Sequence, residues 1–122
     1  MHTTAYGLAV LLDLFVLLIG ARFLFQPQAA ATGYGVPVKA DGDPAYLEIK
    51  GLRDAVSGIL GLALLAFAGA SAEAWFMLVI ALVPLGDTVI VLRNGGTRAT
   101  AFGIHFATAV VVLASAALLF AL

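Results

Sequence analysis

The sequence predicts an all-α integral membrane protein, a four-helix bundle with both termini on the non-cytoplasmic side. Two observations carry that prediction. The chain's 122 residues are 63% hydrophobic and only 11% charged, where about a quarter of an ordinary soluble domain is charged. The apolar residues also gather in blocks over 5–25, 46–68, 73–93 and 98–121. Each block has roughly the 20 residues a helix needs to cross about 30 Å of hydrocarbon at about 1.5 Å per residue. A soluble helical domain would require polar faces recurring at helical spacing, and 107–122 has almost none. The blocks read as a single four-span domain over 1–122.

The first block resembles a secretory signal, because Ala29, Ala30 and Ala31 follow an apolar run. Its flank, Met1 to Tyr6, carries no Lys or Arg and the run contains Asp13, so it reads as a retained first span. Gln26-Pro27-Gln28 ends that span, since proline cannot continue a helix. The next twenty or so residues read as the only sizeable loop, with a turn-forming Gly33-Tyr34-Gly35-Val36-Pro37 and then Asp41-Gly42-Asp43-Pro44. Asp43 suits an N-cap and Pro44 a first helical position for span two. Gly69-Ala70-Ser71-Ala72 is a short connection, with Ser71 as cap and Glu73 near the positive end of the next helix dipole. Pro84 is expected to bend span three. Asn94-Gly95-Gly96-Thr97 closes span three and caps span four.

All six cations flank or occupy the first and third loops: Arg22, Lys39, Lys50 and Arg53 around the first, Arg93 and Arg98 around the third. Cytoplasmic flanks collect Lys and Arg, so both basic loops are expected in the cytoplasm, and size and helical spans suggest a bacterial inner membrane. Arg22, Arg93, Trp75, Tyr6 and Tyr46 read as interface anchors, and His2 as solvated. Gly103 with Ala107, the Ala107-Ala114-Ala121 repeat, Gly51 with Ala55 and Ser57 with Gly61 are small-residue pairs suited to close helix packing.

A charge at bilayer depth costs about 2.5–3.5 kcal/mol, so each asks for a partner, a cavity or a route to the interface. Arg53 and Asp54 lie two to three turns into span two, Asp87 about two turns before the end of span three and His105 about two turns into span four. These four are expected in one layer near the basic loops. Asp13, about 18 Å from the end of span one by the helical rise, would form the floor beneath them or serve as a hydrogen-bonding core residue. Arg53 is expected to pair with Asp87 or Asp54, and His105 with a carboxylate that sets its tautomer for general acid or base work. An Arg-carboxylate network that only glues helices is the structural alternative.

The absence of cysteine excludes disulfides and thiolate chemistry. His105, Asp87 and Asp54 form a weak metal-ligand set, and no metal or cofactor is assigned. A net charge of −1 without a basic run argues against nucleic acid as a partner. No nucleophile-elbow, zinc-protease, phosphate-loop or dinucleotide motif is present.

Several motifs, Gly35-Val36-Pro37, Lys50-Gly51-Leu52-Arg53-Asp54 with Ser57-Gly58, Pro84-Leu85-Gly86-Asp87, Val91-Leu92-Arg93-Asn94-Gly95-Gly96, and His105 with Thr108-Ala109, span nearly the whole chain. In this order they resemble a family of small four-span membrane proteins of unknown function with bacterial and fungal members. A more distant similarity is to the DoxX-like four-helix membrane proteins. The resemblance implies one bundle and motif positions at Arg53, Asp54, Asp87 and His105, and it brings no activity with it.

The reading that follows is a site within the bundle for a hydrophobic or amphipathic small molecule such as a quinone, isoprenoid or lipid-like metabolite. Arg53 and Asp13 are its candidate binding residues. If the occupant is turned over, proton-transfer chemistry such as isomerisation or cyclisation suits His105 as acid or base with Asp87 and Asp54 as orienting carboxylates, and Arg53 as anion stabiliser. Two alternatives belong to other classes: an accessory or structural subunit of a membrane complex or homo-oligomer, and a proton-coupled carrier using Asp13, which would need a dimer.

Overall fold

The computed structural model describes residues 1–36 and 42–122; the expectations placed on Pro37, Lys39 and Asp41 lie outside them. Helix α1 runs over His2–Phe25 and stops at Gln26, whose φ of −138° and ψ of 59° are non-helical. Pro27 dictates that stop by lacking an N–H and crowding its predecessor. The long loop expected after it is corrected by the structure. Pro27 opens a second helix, α2 (Pro27–Tyr34), because a proline that cannot continue one helix suits the first turn of another. Gly35, at φ +97°, ends α2 in the left-handed conformation.

Helix α3 spans Ala45–Ala68. The Asp43 carboxylate accepts from the Ala45 N–H at 2.9 Å, while Pro44 sits at the cap, one residue outside the position expected for it. The last turn, Leu64–Ala68, is π-helical. Gly69, at φ +101°, is the whole connection to α4 (Ala70–Ile80). Ser71 is therefore inside the first turn rather than the cap, while Glu73 lies in the first turn, near the positive end of the helix dipole as expected. Span three is broken at Ala81 into α4 and α5 (Leu82–Arg93). Pro84 is the cause, since its ring crowds the carbonyl of Ile80 four residues back and offers it no donor. Thr97 Oγ1 accepts from the Thr100 N–H at 3.1 Å and starts α6, Arg98–Phe120. That helix is π-helical over Ala101–Phe106.

The spans α1, α3, α4 with α5, and α6 are long and apolar enough to cross a membrane, and no strand occurs among the described residues. This is a multi-pass membrane protein. Phe25, Phe67, Leu82 and Val79 stand outward on the bundle surface, where lipid rather than water solvates them.

Helices α1 and α3 are antiparallel and almost touch along a seam of small residues. A side chain at Gly20 would strike the Ala55 backbone, one at Gly51 would lie 2.7 Å from the Gly20 carbonyl, and one at Gly58 would lie 2.5 Å from the Asp13 carbonyl. Towards the termini, Ala5 and Ala9 of α1 join Leu65, Ala74, Met77, Val112, Ala116 and Leu119 in the main apolar core. The small residues expected to pack span four are corrected: Gly103, Ala107, Ala114 and Ala121 face outward. The inward face of α6 is instead Ala101, His105, Ala109, Val112, Ser115, Ala116 and Leu119.

Gly51→Ala should destabilise the bundle by about 1–3 kcal/mol, the cost of overpacking where a backbone must give way. Gly103→Ala, with nothing within 4 Å of the added carbon, should leave stability equal or higher. Thermal unfolding of the two variants in detergent, followed by circular dichroism, checks the contrast.

Candidate functional site

A cavity of about 300 Å³ lies between the spans, and its wall is predominantly apolar. Phe15, Val16, Ile19, Ile80 and Val83 supply much of that wall, and polar side chains, Ser57 and Thr108 among them, interrupt it. Arg22, Tyr34, Asp54, Asp87 and His105 belong to the end near the basic loops, and Asp13 to the end deep in the bundle.

At the basic end Tyr34 is the organising residue. Helix α2 folds back beneath the spans, so its last residue points inward. The Tyr34 hydroxyl donates to Asp87 Oδ2. The Tyr34 carbonyl, left unpaired at the end of a helix, accepts from His105 Nε2 at 2.7 Å. A carbonyl can only accept, so Nε2 carries the proton and Nδ1 is the ring's acceptor when neutral. The two rings lie 4.4 Å apart. His105 is only 4% exposed and sits in the π-helical turn of α6, a distortion common at functional positions. The carboxylate partner expected for His105 is thus replaced by a backbone carbonyl.

The cation of this layer is Lys50, not Arg53. Lys50 Nζ lies 2.5 Å from Asp54 Oδ2, and 4.2 Å and 4.1 Å from the ring centres of Phe23 and Tyr34. Residues four apart share a helix face, whereas Arg53 is turned about 100° from Asp54 and is exposed, outside the cavity lining. The expected pairing of Arg53 with Asp54 or Asp87 is not formed. Arg22, read from sequence as an interface anchor, lines the cavity.

Burial, followed by the negative charge of Asp87, its hydrogen bond and the charge of Asp54, pushes the Tyr34 phenol well above its ordinary range. Each of these opposes a phenolate beside existing carboxylates.

Asp13 lines the deep end and Glu73 is buried on α4, 1% and 0% exposed. Their carboxyl groups lie within hydrogen-bonding reach of each other. Room for Asp13 comes from Gly61, where any side chain would collide with the Asp13 carboxyl. As ionised carboxylates Asp13 Oδ2 and both Glu73 oxygens are buried without a donor, and the hydroxyl of Ser115, itself 0% exposed, has no partner. Among the described residues no three His, Asp or Glu side chains converge as a metal site.

Tyr34, Lys50, Glu73 and Ser115 are the residues that sequence reasoning does not single out. Tyr34 is hidden in an apparent turn and Glu73 in an apparent helix end. Ser115 could have been found by its spacing, since it follows His105 and Val112 on one face of α6.

Residues 14–119 match the family described as Domain of unknown function (DUF4267). The chain belongs to that family. No curated protein and no solved structure matches it.

The raised phenol pKa has a consequence for alkaline stability. The stabilisation from a neutral Tyr34 is complete below the unfolded value of about 10 and is lost as pH rises from there through the folded value. In a Tyr6→Phe, Tyr46→Phe background, tyrosinate absorbance should stay absent above that pH until the helical signal collapses. Ionisation preceding unfolding would show that Tyr34 is not held as described.

Proposed function

We propose that this family member holds one hydrophobic or amphipathic small molecule in the cavity between its spans. The observation that carries the reading is the cavity itself: about 300 Å³, predominantly apolar, with Tyr34, Asp87 and His105 converging at one end. Pockets that bind small molecules have this character, an apolar body with a few fixed polar groups, and begin at about this volume. A ligand such as a quinone or isoprenoid would place its tail against Val16, Ile19 and Val83 and its polar head beside Tyr34.

For catalysis the geometry favours proton transfer. His105 presents Nδ1 as base, Asp87 and the Tyr34 hydroxyl form a ready relay, and Asp54 is paired with Lys50. Arg22 is the guanidinium that lines the cavity, so it takes the anion-stabilising part first assigned to Arg53. Asp13 serves at the opposite end.

The basic end is assigned to the cytoplasm of a bacterial inner membrane and both termini to the other side. The described cations support this, since Arg22, Lys50, Arg53, Arg93 and Arg98 all fall at one end of the alternating helices. A second reading, a subunit of a homo-oligomer or membrane complex, is favoured by one observation: the small residues Gly103, Ala107 and Ala114 form an outward stripe on α6.

Native mass spectrometry after gentle extraction tests the ligand. Wild type and Arg53→Ala should retain a small molecule in equal measure. His105→Ala and Asp87→Asn should lose at least tenfold of it, about 1.4 kcal/mol or more. An empty wild-type protein, or one found only with stoichiometric protein partners, would overturn the proposal in favour of the subunit reading.

A further inference from the structure

The deep end of the cavity poses a problem of charge. Asp54 is neutralised by Lys50 and Asp87 is held by a phenol. Asp13 and Glu73 have only each other, three of their oxygens are buried without a partner, and no cation meets them among the described residues. Two carboxyl groups form a hydrogen bond only if one carries a proton, and a second negative charge buried here has no counter-ion among the described residues. Asp13, 1% exposed yet among the residues that line the cavity, brings this uncompensated group to the cavity wall.

The rest of the wall suits a particular partner. Phe15, Phe23, Tyr34 and Phe76 line the same space, and the faces of two of these rings already attract the Lys50 ammonium. Aromatic side chains around an apolar volume, with a carboxyl group in its wall, are complementary to an organic cation whose charge is spread over carbon.

We propose that the cavity binds a lipophilic organic cation, such as a hydrophobic amine or quaternary ammonium, at Asp13, in exchange for the proton that Asp13 shares with Glu73. This rests on the reading that the cavity holds a small molecule, and it names the class. On entry of the cation the shared proton leaves for solvent, and the charge of the filled site is conserved. At low pH the proton wins and the cation is expelled. The titratable groups around Asp13 are Glu73 in contact on α4 and, towards the basic end, Arg22, Tyr34, Asp54, Asp87 and His105; Gly58 and Gly61 of α3 lie directly against it.

Benzyltrimethylammonium is a suitable probe because it has no proton of its own to lose. Its binding to the detergent-solubilised full chain is measured by calorimetry from about pH 6 to about pH 9, with proton release followed by an indicator dye in weak buffer. Affinity should rise with pH, with release of up to one proton per cation bound. Asp13→Asn should weaken binding at least tenfold and abolish release. Glu73→Gln, an independent variant should the first not fold, should retain binding with a flattened pH dependence. Binding indifferent to pH and to both variants would overturn the proposal. So would a wild-type protein that retains a neutral molecule in native mass spectrometry but binds no probe, an outcome that leaves the broader ligand reading intact. A protein that retains nothing and binds no probe would sink both.

Discussion

The close approach of α1 to α3 is the constraint on which the rest of the structure depends. In lipid there is no hydrophobic drive to bring two apolar helices together, so contact must come from dispersion over surfaces smooth enough to meet. Gly20, Gly51, Ala55, Gly58 and Gly61 provide such a surface, and their spacing puts them on one seam. The seam also sets positions that seem unrelated to packing. It leaves room at Gly61 for the Asp13 carboxyl, and it brings Lys50 over the ring of Phe23. A bulkier seam would separate the helices and take both arrangements with it.

Because α1 and α3 are so tightly joined, space remains elsewhere, between that pair and the helices α5 and α6. The short helix α2 fills part of the basic end of this space and leaves the cavity above it. Its last residue connects three helices at once: the Tyr34 hydroxyl reaches Asp87 on α5, its carbonyl reaches His105 on α6, and its ring faces Lys50 on α3. Pro84 and the π-helical turn at His105 lie at the same level of the neighbouring helices. Each loosens the local backbone ladder where side chains must turn inward.

The two ends of the cavity differ in how their polar groups are satisfied. Near the basic loops Asp54 and Asp87 have donors, from Lys50 and Tyr34, and the imidazole has an acceptor. Such completed networks rigidify a core. At the deep end Asp13, Glu73 and Ser115 are buried with unsatisfied oxygens, an arrangement a purely structural core would replace with apolar side chains at a gain in stability. The contrast marks the deep end as the part of the bundle whose composition is hardest to account for by folding alone.

Much of the fold was legible in the sequence because hydrocarbon imposes it. Spans of about 20 apolar residues, a proline or glycine at the breaks between them and cations in or flanking two loops follow from the cost of exposing backbone and charge to lipid. The depth of Asp13, Asp54, Asp87 and His105 could be counted in helical turns for the same reason. What only the tertiary structure decided is which way each side chain faces around its helix. Lipid and protein interior are equally apolar, so the pattern of hydrophobic residues carries little azimuthal signal. Arg53 therefore looked as suitable as Lys50, and the outward Gly103 stripe as suitable as the inward seam at Gly51. Glu73 read only as an acid near the positive end of a helix dipole, and the fold buries that helix start against Asp13. Tyr34 was hidden because a proline that ends one helix can begin the next, and whether that second helix folds back beneath the bundle depends on partners distant in the chain, Asp87 and His105.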